Sequence, residues 1–166
     1  FNLFYFLSFM TAAYAAWWSL RSLGIERASA IAGAVAFALL PYHFLRNHHV
    51  FLASYAAIPI FCRYAVQIGA FRAAHLEDAP RVSWSSVAMV AIAAGAGIYY
   101  AYFGLLFVTF AAVLGTARTR STVPLRVGAV YAATIVFVIA ASLVPNIAFR
   151  LSHGANPLIA ARVGSE

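Results

Sequence analysis

Three polar interruptions break an otherwise apolar chain, and each carries side chains that bind anions. The first is Arg46-Asn47-His48-His49, which follows Pro41, Tyr42 and His43 and gives way to apolar residues again at Val50. The second is a tyrosine group, Tyr99, Tyr100 and Tyr102, placed just after Gly95 and Gly97, and the third sets Arg150 three residues before His153. Arginine binds phosphate oxygens through two parallel N–H bonds, and its weakly hydrated guanidinium tolerates a membrane interface. Histidine adds a donor and a titratable charge. Together these groups suit the phosphate-bearing headgroup of a lipid. Plainer roles stand beside that one. Arg46 also fits an interfacial anchor, His43 a capping or packing residue, and Tyr99 and Tyr100 an aromatic belt. Arg150 and His153 also fit as basic groups closing a helix C-terminus. His48 and His49 are neighbours in a turn, point apart and lack a third ligand, so no metal site is expected there. The residues identify no cofactor.

Composition decides what must position these groups. Hydrophobic residues make up 64% of the chain and charged residues 9%, with a mean hydropathy of +0.87. Soluble domains carry about 25% charged residues, so an integral membrane protein is expected. The apolar runs are uninterrupted and do not alternate as barrel strands do, and helices satisfy their own backbone in lipid. The formal charge of +7 comes from arginine alone, since lysine is absent, and the arginines sit in short links between apolar runs. Such a distribution sets membrane topology and does not suggest nucleic-acid binding. Alanine richness with arginine in place of lysine suits a GC-rich bacterial genome, which points to a multi-pass protein of the bacterial inner membrane. Cys62 is the single cysteine, so no disulfide framework forms within the chain. The chain opens on Phe1 inside an apolar run with neither a basic n-region nor a cleavage site, and ends at Glu166. It therefore reads as a segment of a longer polytopic protein, not as a signal peptide followed by a domain.

The expected architecture is all-α, a polytopic transmembrane helix bundle forming one domain over 1–166, with about six spans. These fall at about 2–20, 28–45, 50–71, 84–97, 102–116 and 127–148. Pro41 should end or kink the second span. Arg63 lies inside the third, and at roughly 2.5 to 3.5 kcal/mol for a mid-bilayer arginine it should snorkel to the nearer interface or face the bundle interior. From Trp84 to Thr116 no residue is charged, too long for one crossing, and the glycines and tyrosines at 95–102 supply the break. The last span should end near Pro145 and Asn146, leaving Arg150, His153, Asn156 and Arg162 in a tail. Six spans gather Arg21, Arg27, Arg72, Arg81, Arg118, Arg120 and Arg126 on one face, which the positive-inside rule makes cytoplasmic. The anion-binding groups then share the opposite face. Glu26, Glu77 and Asp78 fall on the cytoplasmic side, so a general base for outer-face transfer chemistry must come from elsewhere.

The run PYHFLRNHHVFLASYAAIPI at Pro41 to Ile60 and AGAGIYYAYFG at Ala94 to Gly104 resemble the polytopic GT-C-type glycosyltransferases of bacterial membranes, which use polyprenyl-phosphate-linked sugars. The resemblance covers most of the chain as an arrangement of short-looped spans. It implies transfer of a sugar from a polyprenyl-phosphate donor at the non-cytoplasmic face. Arg46, His48, His49, Tyr99, Tyr100, Arg150 and His153 would then bind substrate, and membrane lipids would be the other partners. It also implies an essential acidic residue on the first outer loop, upstream of Phe1. No residue of this chain matches a catalytic motif. The competing classes are a transporter or flippase for a lipid-linked solute and a non-catalytic subunit of a membrane complex. A transporter calls for mid-membrane ionisable groups and repeat symmetry, and the chain has no acid within its spans.

Overall fold

The computed structural model describes residues 2–41, 55–71 and 81–154, and these form six α-helices and no strands. They are α1 (Asn2–Ser22), α2 (Arg27–Ala38), α3 (Ala57–Gly69), α4 (Trp84–Gly95), α5 (Ile98–Thr119) and α6 (Val123–His153). Three of them, α1, α5 and α6, are long and apolar enough to cross a membrane. The shorter helices α2 and α4 are apolar too, but 12 residues each reach only about 18 Å at 1.5 Å per residue.

Small residues face inward and bulky apolar ones outward. On α1 the buried positions are Ser8, Ala12, Ala15, Ala16 and Ser19, while Leu3, Phe6, Met10 and Tyr14 are exposed. On α2 the buried face is Ala30, Ala34 and Ala38, with Ile31 and Val35 outside. Spacings of three and four put each small set on one helix face. A helix in lipid gains nothing from hiding leucine and much from close backbone approach, so the pattern suits a membrane.

α3 is the exception and therefore the centre. Its inward face carries bulk, namely Ile60, Phe61, Tyr64 and Ile68, and it packs against α1, α4, α5 and α6. The facing helix α5 receives that bulk with glycine. A Cβ at Gly104 would stand 2.6 Å from the Phe61 ring, and one at Gly115 would stand 2.8 Å from the Ile68 carbonyl oxygen. α6 continues the scheme, with Gly128 lying against Ala112 of α5.

The ends have identifiable causes. α2 stops at Ala38, three residues before Pro41, whose ring disfavours helix in the residue ahead of it. α4 starts with a capping box in which the Ser86 amide donates to Ser83 Oγ at 3.1 Å and the Ser83 amide donates to Ser86 Oγ at 2.9 Å. Prolines at the starts of α3 and α6, Pro59 and Pro124, fall in first turns where no backbone donor is lost.

Several boundaries differ from the sequence expectation, α5 running on to Thr119 and α6 beginning at Val123 where 116 and 127 were expected. The break after α4 is only Ala96 and Gly97, and Gly97 alone, at φ +155°, supplies the conformation it needs. Tyr99, Tyr100 and Tyr102 are consequently helical, and α5 begins at Ile98 and not near 102. α6 does not end near Pro145 but runs through it to His153. A proline in an apolar helix removes one backbone bond without stopping the helix, and the first residue at positive φ is Gly154 (+75°), whose amide donates to the Arg150 carbonyl at 2.9 Å. The expected spans 28–45 and 50–71 run partly outside the described residues.

Candidate functional site

The chain alternates direction so that Arg21, Arg27, Arg118, Arg120 and Arg126 gather at one end. Two contacts fix that end: Arg118 Nη1 on α5 donates to the Gly69 carbonyl at the close of α3, 3.0 Å away, and Trp18 near the close of α1 meets Arg63 of α3. The opposite end holds the flanks of the segment that carries Arg46, His48 and His49. Those three residues lie outside the described residues, but Pro41 and Tyr55 on either side are placed. Tyr55 is 1% exposed. Its hydroxyl donates towards the Ala38 carbonyl at 3.0 Å and the Phe37 carbonyl at 3.3 Å, and its ring stands 5.1 Å from that of Phe37. Its one proton thereby serves the Ala38 carbonyl, of the kind a helix leaves open at its C-terminus, and it fastens the end of α2 to the start of α3.

The same end receives the start of α5 and the close of α6. Tyr99 and Tyr100 open α5 but point to different surroundings, Tyr99 being 61% exposed and Tyr100 5%. Tyr100 lies four residues before Gly104 on the inward face and belongs to the core, whereas Tyr99 and Tyr102 present their rings outward. α6 is nine residues longer than its antiparallel neighbour α5, 31 against 22, so its last turn stands about 13 Å beyond the start of α5. Arg150 and His153 occupy that last turn and are exposed. The two tyrosines sit at the foot of the overhang and the two basic residues at its tip.

Hydrogen bonding orients the tip. Ser152 Oγ donates to the Ala148 carbonyl at 2.9 Å and lies 2.7 Å from His153 Nδ1. Either group can donate in that bond, according to the ring's tautomer, and Nε2 on the far side of the ring is left to donate or accept. The ring stacks on Phe149 at 4.6 Å and an 11° tilt, so its plane is held as well. Arg150 and a fixed imidazole thus stand at the C-terminus of a helix, where cations are stabilised. The pair can donate to, and accept from, a phosphate and its attached hydroxyls.

Arg63 lies at the middle of α3 and neither reaches water alone nor sits unpartnered. Its guanidinium carbon lies 4.1 Å over the Trp18 ring and 4.7 Å from that of Tyr64. Two aromatic faces replace part of its hydration, which is how an arginine is held there, although Nε is buried without a hydrogen-bond partner. Sequence alone flagged Arg63 and Trp18 separately and gave no means of pairing them.

Among the described residues the one carboxylate is Glu26. It caps α2 at the arginine-rich end, accepting from the Ala28 amide at 3.3 Å and the Ser29 hydroxyl at 3.3 Å. No three of His, Cys, Asp and Glu come together among the described residues. No protein-family model, curated protein or solved structure matches the chain.

Proposed function

We propose that this chain is part of an integral membrane glycosyltransferase that transfers a sugar from a polyprenyl-phosphate-linked donor at the end of the bundle opposite the arginine cluster. What carries the reading is the last turn of α6, where Arg150 and the oriented His153 stand clear of the core on the end flanked by Pro41 and Tyr55. Six crossings would place this end on the non-cytoplasmic face of a bacterial inner membrane, with the arginine-rich end inside. Arg150 and Arg46 would hold the donor phosphate, with His48, His49 and His153 as further donors and Tyr99 lining the acceptor side. Tyr100, being buried, would support that wall from behind. The general base would be a carboxylate other than Glu26, which is engaged at the far end.

The test is donor turnover by the full-length protein in vesicles supplied with a polyprenyl-phosphate-linked sugar. A hydrogen bond to a charged group is worth about 1.5 to 3 kcal/mol, so Arg150→Ala should raise the donor KM by about 10- to 100-fold. His153→Gln keeps a donor and an acceptor and should cost less. An unchanged donor KM in Arg150→Ala and Arg46→Ala alike would overturn the assignment, as would absence of sugar transfer by the unmodified protein.

A further inference from the structure

A groove of 440 Å³ runs along the outside of the bundle between α3 and α5, at the arginine-rich end. Cys62, Val66 and Gly69 form one wall, Phe110 and Leu114 the other, and Arg118 stands at its mouth. Gly69 forms part of the floor because it approaches Ala111, to which its Cβ would come within 3.7 Å. The groove therefore exists where two small residues let the helices meet while Val66, Phe110 and Leu114 project on either side. Those three are exposed, so the trough opens outward, where lipid surrounds a membrane-spanning bundle.

Arg118 makes the trough asymmetric. Its Nη1 is spent on the Gly69 carbonyl at 3.0 Å, which pins the guanidinium over the end of α3. The remaining N–H donors have no partner among the described residues. Arg120 and Arg126 share this end, and its one described carboxylate, Glu26, is already bound to the start of α2. An apolar trough about 12 Å long with an anchored, partly free arginine at its mouth matches a lipid that has an apolar tail and an anionic head.

We infer that the α3–α5 groove is a binding site for an anionic phospholipid, with one acyl chain lying along Cys62, Val66 and Leu114 and its phosphate on Arg118. Basic groups between helices near a charged membrane surface recognise such headgroups, and arginine binds phosphate oxygens through two donors at once. The site lies at the opposite end from the proposed sugar-transfer site and does not depend on it. Its occupant would fill the trough and hold Arg118 against Gly69, tying the ends of α3 and α5.

The experiment uses the full-length protein in phosphatidylcholine vesicles doped with either phosphatidylglycerol or phosphatidylcholine carrying a photoreactive diazirine on one acyl chain. Crosslinks are mapped by mass spectrometry. Phosphatidylglycerol should label residues 62–70 and 107–114 over phosphatidylcholine by about fivefold, the factor that one arginine near an anionic lipid supplies. Arg118→Gln should bring the two lipids level, and Arg118→Lys should retain part of the preference. Val66→Trp, which fills the trough and leaves Arg118 in place, should lower labelling by both lipids several-fold. That variant decides the matter even if Arg118→Gln fails to fold. Equal labelling by the two lipids in the unmodified protein, an undiminished preference in Arg118→Gln, or full labelling in Val66→Trp would each overturn the site. So would competition by inorganic phosphate as effective as that by phosphatidylglycerol, because the groove would then contribute nothing.

Discussion

The two halves of α6 have the same apolar character and opposite surroundings. From Val123 to Ile139 the helix lies against α4 and α5, with Val127, Gly128, Tyr131 and Ile135 buried. From Ala140 to His153 every residue is exposed. In water such a difference would track hydrophobicity, and here it does not. It follows the neighbours, since Gly128 lets α6 come against Ala112 while the far end of α6 runs on past the start of α5, which is nine residues shorter. Where lipid is as apolar as leucine, the position of small residues determines which face packs.

The largest effect should separate two neighbours in the packed half. Ile135 is 0% exposed and Phe137, two residues on, is 72% exposed. Ile135→Ala should cost about 2 to 5 kcal/mol, the usual range for a buried aliphatic truncation. Phe137→Ala removes more atoms yet should stay within about 0.5 kcal/mol. Reversible unfolding in mixed detergent micelles measures both. Equal losses would mean that apolar bulk, and not packing, stabilises α6, and the contrast between its halves would fail.

Glycine gives the next step down. A methyl at Gly128 would meet Ala112 Cβ, which cannot rotate away, so α5 and α6 must separate. Gly128→Ala should destabilise by about 1 to 3 kcal/mol despite better helix propensity. Gly95→Ala is the control, because nothing lies within 4 Å of the added methyl, and it should be neutral or slightly stabilising, by up to about 1 kcal/mol. If both substitutions behaved alike in the same unfolding assay, close approach at Gly128 would not be what seats the packed half.

How much of this was legible in the sequence depends on the residue. The apolar runs, a break opening at Gly95 and Pro41 as a residue that ends or kinks a helix were readable, because each rests on local backbone chemistry, although the expected break ran on to 102 and the expected span to 45. The extent of α6 was not, since Pro145 signals an end in water and only a missing bond in an apolar setting. Tyr99 and Tyr100 read as one motif, and only their register on α5, set by Gly104 meeting Phe61, separates them into an outward and an inward residue. Arg63 was visible as a buried-charge problem, but its solution over Trp18 joins residues 45 positions apart. Arg118 read as a topology signal and nothing more. Its bond to Gly69, 49 positions away, is what makes it part of a groove. The residues expected to bind the donor at Arg46, His48 and His49 lie outside the described residues.

The smallest effect concerns how the two ends of the proposed donor-binding face are closed. At the tip of α6 the last turn is closed by its own chain, through Gly154 and the Arg150 carbonyl, whereas α2 adds to its own Leu39–Val35 and Leu40–Phe37 bonds a foreign hydroxyl, that of Tyr55 on the Ala38 carbonyl. Tyr55→Phe keeps the ring against Phe37 and deletes only that donor. One neutral hydrogen bond is worth about 0.5 to 1.5 kcal/mol net, so the loss should fall in that range. Tyr55→Leu discards the ring contact too and should lose more, which separates the hydroxyl from the packing. If Tyr55→Phe is as stable as the unmodified chain, water or headgroups satisfy the Ala38 carbonyl and the end of α2 is open to the membrane surface. A measurable loss instead makes Tyr55 the fixed side of the segment that bears Arg46. Donor affinity would then fall in Tyr55→Phe even though the residue never touches the phosphate.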